Sequence, residues 1–463
     1  MKPHSVRASA GRIAELAWPV FVGQISVLAF STVDTLLVAR YDSLDLAALA
    51  VGAAAYVTIF VGFMGVVLAI GPIVGQLFGA GQHAQAGHQL HQGIWIALGL
   101  SVIGSALLVF PYPFLALAKA TPEVADKVRG YLIALAFSLP ASLLFTVYRG
   151  FNTAVSRPKA VMALQVGGLV LKVPLSVALV WGVPALGIPS LGVVGCGIAT
   201  CIAMWAQTLI AWQVLRRDPF YAKFAIGGHG LDAPDRAALR TQLRLGLPMG
   251  AGILIEVTGF SFMAIFISRL GTTPVAGHQI AANLVALLFM MPLAISNATS
   301  TLVAQRMGAR DLRDARRLGW HGVMVCIAVA ALMGGTVFLV RDSVVRLYTR
   351  DAAVIAAALP LVAWLVLFHV ADAAQTVAAF VLRAYRIATV PLVIYAVMLW
   401  GVGLAGGFLL AFDVFGGTPQ ALRGAPGFWV AASAGLVLAA LALGGFLAWV
   451  LRHRPAAGPA RSA

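Results

Sequence analysis

Charge is what this chain has least of. Only 10% of its 463 residues are charged and just 16 are acidic, where an ordinary soluble domain carries about a quarter. Cysteine is nearly missing too. Cys196, Cys201 and Cys326 lie in apolar surroundings without a C-x-x-C spacing, which excludes a disulfide framework or a zinc site built on them. No G-x-x-x-x-G-K-S/T run is present to cradle a nucleotide phosphate, so ATP hydrolysis by the chain itself is not expected. H-E-x-x-H and G-x-S-x-G are absent as well, and no catalytic residue or resident metal is expected. The net charge of +16 comes without a basic run interleaved with aromatics, so nucleic acid is not an expected partner.

Apolar residues are abundant, at 61%. Long apolar runs follow one another from Ile13 to Val450, and a run of about 20 residues crosses the roughly 30 Å hydrocarbon core of a bilayer. Twelve such spans fit, among them 13–39, 93–116 and 246–268. The basic start is followed by an apolar run to Ala39 with no small-residue cleavage site, so a first span is expected here rather than a removable leader. The expected fold class is an all-α polytopic membrane protein with twelve transmembrane helices. Lys and Arg on the connecting segments fall more than twice as often on the side shared by both termini, which predicts cytoplasmic termini in the cell inner membrane.

The halves of the chain repeat. An offset of 229 residues pairs Pro19 with Pro248, Gly23 with Gly252, Arg40 with Arg269, Gln76 with Gln305 and Gly79 with Gly308. Six spans per half is an even number, so the repeats are parallel, and transporters of this design bind substrate between halves that rock. The expected organisation is an N-lobe over 1–214, a cytoplasmic linker over 215–245, a C-lobe over 246–451 and a cytoplasmic tail over 452–463, with the lobes around a central cavity. Pro19 and Pro248, inside spans, interrupt backbone hydrogen bonding and are candidate hinges.

Three acidic residues lie deep in spans: Asp34 in the first, Glu256 in the seventh and Asp372 in the tenth. Carboxylates in hydrocarbon are costly and usually handle ions or protons. Helical spacing gives each of them neighbours. Gln24 lies beside the Asp34 face, Gly252 and Gly259 flank Glu256, and Gln279, Asn283 and Met290 share a stripe on the eighth span. Glu256, Asp372, Asp34 and Asn283 are therefore the expected cation or proton ligands, with no cofactor beyond a coupling H⁺ or Na⁺. Gln24, Gln279, Met263, Met290, Phe260, Phe289 and Phe368 are the expected substrate lining, since thioethers and rings adapt to varied apolar shapes. Lys172, a lysine in mid-span, needs a partner or water, and the deep acid of its half is Asp34, so the two are an expected coupling pair. His83, His88 and His91 lack zinc-ligand spacing and are expected on a solvated amphipathic turn.

Several stretches resemble the multidrug and toxic compound extrusion (MATE) family, in its NorM-type branch. They are Pro19 to Asp34 with Val33-Asp34-Thr35, Pro72-Ile73-Val74-Gly75-Gln76, Arg149-Gly150-Phe151, Gly192 to Thr200, and Ala276-Gly277-His278-Gln279-Ile280-Ala281. The resemblance covers nearly the whole chain. It implies two six-helix lobes and export of cationic amphiphiles coupled to Na⁺ or H⁺, with Asp34 in an N-lobe site and Glu256 and Asp372 in a C-lobe cation site. The chain departs from the family where Phe368 replaces a phenol and where Lys172 and Ser176 replace two asparagines.

The expected function is ion-coupled efflux of cationic drugs or dyes by alternating access, performed by a monomer in contact with membrane lipid. A lipid-linked precursor flippase is the alternative. A polytopic membrane enzyme is a third reading, disfavoured for want of a catalytic constellation.

Overall fold

A computed structural model describes residues 5–118, 121–227 and 230–453; the tail beyond His453 lies outside the described residues. Among these, twelve helices are long and apolar enough to cross a membrane, from Val6–Ala39 to Ala425–His453. Helices are what hydrocarbon permits, because every backbone N–H and C=O must be satisfied within the segment. Hydroxyls obey the same demand. Ser26 donates to Val22 O at 3.0 Å, Thr146 to Ser142 O at 2.8 Å and Thr299 to Ile295 O at 2.8 Å. At helix starts, carboxylates cap free N–H groups: Asp42 accepts from Leu44 and Asp45, and Asp351 from Ala353 and Val354.

Helix length departs from span length. The third helix runs His83–Val109 and the seventh Arg236–Ser268, where apolar content alone placed 93–116 and 246–268. The added turns at the starts of both helices, 83–92 and 236–245, are polar in composition, which hydropathy does not register as span. Two spans are irregular. The second is a helix Ser43–Val67 followed by Ile70–Gly79, broken where the ring of Pro72 conflicts with the carbonyl of Leu68. The eleventh contains a π-helical stretch over Ala396–Ala405. Against it lies Gly435, where a Cβ would come within 2.5 Å of Met398 O.

The chain forms two compact units. One is Pro19–Gly250, and the other joins the described residues up to Trp18 with those from Ala251 onward. The first and seventh helices thus each change unit close to their prolines, Pro19 and Pro248. In the second unit, Arg12 Nη1 reaches Asp314 Oδ2 at 3.4 Å, and Ser9 Oγ lies 2.8 Å from His321 Nδ1. In the first unit, Gln242 Nε2 donates to Gln89 O at 2.8 Å. There Gly250 lets the seventh helix approach the second so closely that a Cβ would lie 2.5 Å from Gly62 O.

The sixth helix ends at Arg217 and the seventh starts at Arg236. Within the first unit the link between them is clasped to the start of the third helix. His88 Nδ1 meets Asp232 Oδ2 at 2.8 Å, His91 Nδ1 meets the same oxygen at 3.1 Å, and His88 Nε2 lies 3.5 Å from Asp235. Gln92 bonds Ala233 O and the Asp235 N–H, and Trp95 Nε1 donates to Asp232 O at 2.9 Å. The contact with His88 holds the Asp232 carboxyl below the usual aspartate range. The solvated turn expected for the histidines is corrected here: they lie in the helix His83–Val109, and His91 is 1% exposed. The acidic partners, about 140 residues away in sequence, are what a local reading of the turn leaves out.

Candidate functional site

Each unit holds, deep in its spans, an acidic centre around the carboxylates singled out above. In the first, the first helix presents Asp34 and the fifth helix, Pro158–Trp181, presents Lys172 and Ser176. The Lys172 ammonium donates to Asp34 Oδ1, and also to Phe30 O at 3.2 Å, with the Phe30 ring 5.1 Å beneath it. Ser176 Oγ completes the set at 3.5 Å from the same carboxylate oxygen. Lys172 is fully buried and the Asp34 side chain is 8% exposed. A buried pair of this kind is net neutral. Removing one partner costs about 3–5 kcal/mol because the other charge is left unpaired, whereas a proton on the carboxylate weakens the pair directly.

In the second unit, Glu256 on the seventh helix and Asp372 on the tenth, Ala352–Ala384, are joined by Gln375. Its Nε2 donates to Asp372 Oδ1 at 2.9 Å, and lies 3.4 Å from Glu256 Oε1 and 3.0 Å from Thr376 Oγ1. Arg383, buried near the end of the same helix with its guanidinium 4.3 Å from the Phe380 ring centre, lies within electrostatic range of Glu256. The π-helical stretch contributes Trp400, whose Nε1 donates to Ile255 O at 3.0 Å and whose indole covers Gly259. The glycines flanking Glu256 therefore receive aromatic rings: Tyr395 stands against Gly252. Gln375 and Arg383 were not among the residues singled out by sequence. Gln375 is one turn beyond Asp372, a spacing that could have exposed it; Arg383 reads as a loop cation until its helix is seen to run to Ala384.

The other expected residues are placed differently. Asn283 is exposed and accepts from the Tyr348 hydroxyl at 3.4 Å, so it is not brought to the acid pair. Gln279 is exposed, and Gln24, Met290 and Phe289 are half-buried. Met263 and Phe368 are core side chains of the second unit. Phe260 joins that core in an aromatic cluster, its ring 6.1 Å from Phe368, 6.2 Å from Trp429 and 5.6 Å from His278. Their apolar character is used in packing here, which the helical stripe alone does not distinguish from ligand contact.

A family profile described as MatE matches residues 19–178 and, a second time, 248–409. The chain belongs to the MATE family. Among MATE relatives, the Probable multidrug resistance protein NorM of Aromatoleum aromaticum is 40% identical over 451 residues, covering 97% of this chain and 96% of its own length. The Multidrug resistance protein NorM of Vibrio cholerae is 33% identical, covering 97% of both chains. The crystal structure of the Vibrio cholerae MATE transporter VcmN in its bent form superposes with a TM-score of 0.84 over 96% of this chain and 98% of that one. At 19% identity this last likeness speaks for the fold. The present chain is thus a multi-pass membrane transporter of the NorM-type branch, and the MATE family is not enzymatic, which removes the membrane-enzyme reading.

Proposed function

We propose that this MATE transporter exports amphipathic cationic drugs and dyes across the cell inner membrane, with both termini in the cytoplasm. Export is driven by an ion gradient through alternating access of its halves. One observation carries the coupling part of the proposal: two carboxylates, Glu256 and Asp372, share a single amide inside a membrane-spanning unit. Buried carboxylates in spans serve ions and protons, and full-length relatives are named multidrug resistance proteins. Those names favour drug export over the flippase alternative.

The two acidic centres differ in what they offer a cation. Glu256 and Asp372 present oxygens from two helices, and a Na⁺ or H⁺ brought to them relieves their mutual repulsion. At Asp34 the Lys172 ammonium already supplies the positive charge, which disfavours a metal ion and leaves the proton as the natural effector there. A proton on Asp34 breaks the pair and frees the first helix to bend near Pro19, with Pro248 the corresponding hinge of the seventh.

Dye efflux from vesicles under imposed Na⁺ or H⁺ gradients tests the reading. Glu256→Gln and Asp372→Asn keep side-chain volume and remove charge, so each is expected to abolish gradient-driven efflux while the protein still inserts and binds dye. Near-normal efflux from both substitutions overturns the coupling assignment.

A further inference from the structure

Gln375 is satisfied at one end and idle at the other. It is fully buried, and its Nε2 faces Asp372 Oδ1, Glu256 Oε1 and Thr376 Oγ1. Its Oε1 is buried as well and meets no hydrogen-bond donor among the described residues. A buried acceptor left unmet costs about 1–3 kcal/mol, so such an atom calls for an explanation. The donor end is easily explained. Ionised carboxylates offer only acceptors, and the amide answers them with its two N–H bonds. In this pose the NH₂ group stands between the acids in the manner of a cation. The idle Oε1 is the kind of oxygen that hard cations favour.

We propose that Gln375 exchanges with the coupling ion by turning its amide: the NH₂ faces Glu256 and Asp372 when the pair is empty, and Oε1 faces them when it is loaded. The proposal rests on Glu256 and Asp372 being the coupling site. The motion is small, because the terminal torsion of glutamine is broad and roughly two-fold, so the two ends trade places without a change of shape. With Na⁺ as substrate, the turned amide adds a neutral oxygen to the carboxylates. With H⁺, the proton resides on a carboxyl oxygen, which becomes an O–H donor, and Oε1 accepts from it. No bond within the amide is made or broken in either case. The turned amide leaves its NH₂ where Oε1 now lies without a partner, so the rotation persists only while an ion holds the oxygen. Gln375 thereby stabilises the empty carrier and sets the threshold at which the ion displaces it.

The test uses the full chain in proteoliposomes and compares the wild type with Gln375→Met and Gln375→Glu. Gln375→Met keeps length and loses both donor and acceptor. The ion concentration for half-maximal dye antiport, titrated with Na⁺ at fixed pH and with H⁺ in Na⁺-free buffer, is expected to fall about tenfold, because the ion no longer has to displace the NH₂ from the carboxylates, the equivalent of one lost charge-assisted contact. Dye affinity should stay at the wild-type value. Gln375→Glu keeps an oxygen without the displacing NH₂, so the half-saturating concentration should fall while turnover slows because the ion is released late. Ion-induced infrared difference spectra of the wild type should contain a glutamine carbonyl shift that Gln375→Met lacks. A folded Gln375→Met protein with wild-type ion dependence overturns the proposal. Should Gln375→Met fail to fold, the absence of a glutamine shift in the wild type, or unchanged half-saturation in Gln375→Glu, overturns it equally. Loss of coupling in Glu256→Gln and Asp372→Asn beside a normal Gln375→Met sinks this inference alone, whereas normal coupling in both acid variants sinks the site reading beneath it.

Discussion

Lys172 and Asp34 are each expensive alone and tolerable together, which makes them a measurable unit. Lys172→Met leaves a buried carboxylate without its cation, and Asp34→Leu leaves a buried ammonium without its anion. Each single substitution should lower stability by about 3–5 kcal/mol, or force the stranded group to neutralise. The double substitution should cost far less than the sum, since contacting residues couple and a well-packed apolar replacement of a buried pair is often neutral. Thermal unfolding of purified protein gives the stabilities, and the pH profile of efflux should change in all three variants. Strict additivity would remove the pair as a functional unit. These two residues were legible in the sequence because a charge inside an apolar run has so few explanations. Gln375 was not, because a neutral amide near the end of a helix resembles many others. Periodicity tells which residues share a face but not which neighbour that face meets, and for Asn283 one such neighbour is Tyr348.

Among the elements, the membrane helices were the easiest to foresee, since hydrocarbon leaves the backbone little choice. What escaped foresight lies where water takes over or where a helix leaves α geometry, as at the starts of the third and seventh helices and in the Ala396–Ala405 stretch. The clasped link between the sixth and seventh helices is such a watery element, and it has its own pH behaviour. Asp232 is held below the ordinary aspartate range, chiefly by its hydrogen bond to His88. A carboxyl depressed in the folded state contributes stability that is fully present above the unfolded value of about 3.9 and is lost as pH falls through the lower folded value. The Asp232 contribution should thus survive mild acid. Limited trypsin cleavage at Arg236 is expected to remain slow down to about pH 5 as far as this carboxylate decides it. Removing the imidazole with His88→Ala should speed cleavage about fivefold at neutral pH, in keeping with about 1 kcal/mol for partly exposed pairs. An unchanged rate would show that Gln92 and Trp95 hold the link unaided.

For the molecule as a whole, the division into compact units does not coincide with the division of the chain into halves. A cut in the link leaves one fragment without residues 236–250 of its own unit, and the other without the start of the first helix. Each fragment expressed alone should be degraded, and the two expressed together should accumulate and restore dye efflux; a fragment that accumulates alone, folded and monodisperse, contradicts this. The crossing also bears on descent. The two matches to the family profile begin at residues 19 and 248, the prolines beside which the first and seventh helices change unit. Had the protein arisen by doubling of a gene for one six-helix half, the product of that ancestor would have been a swapped dimer, each copy lending the start of its first helix to the other, an inexpensive route to assembly. Fusion would then have made an existing loan permanent, and it would have turned two interchangeable partners into halves free to diverge, one acquiring Lys172 against its acid and the other Gln375.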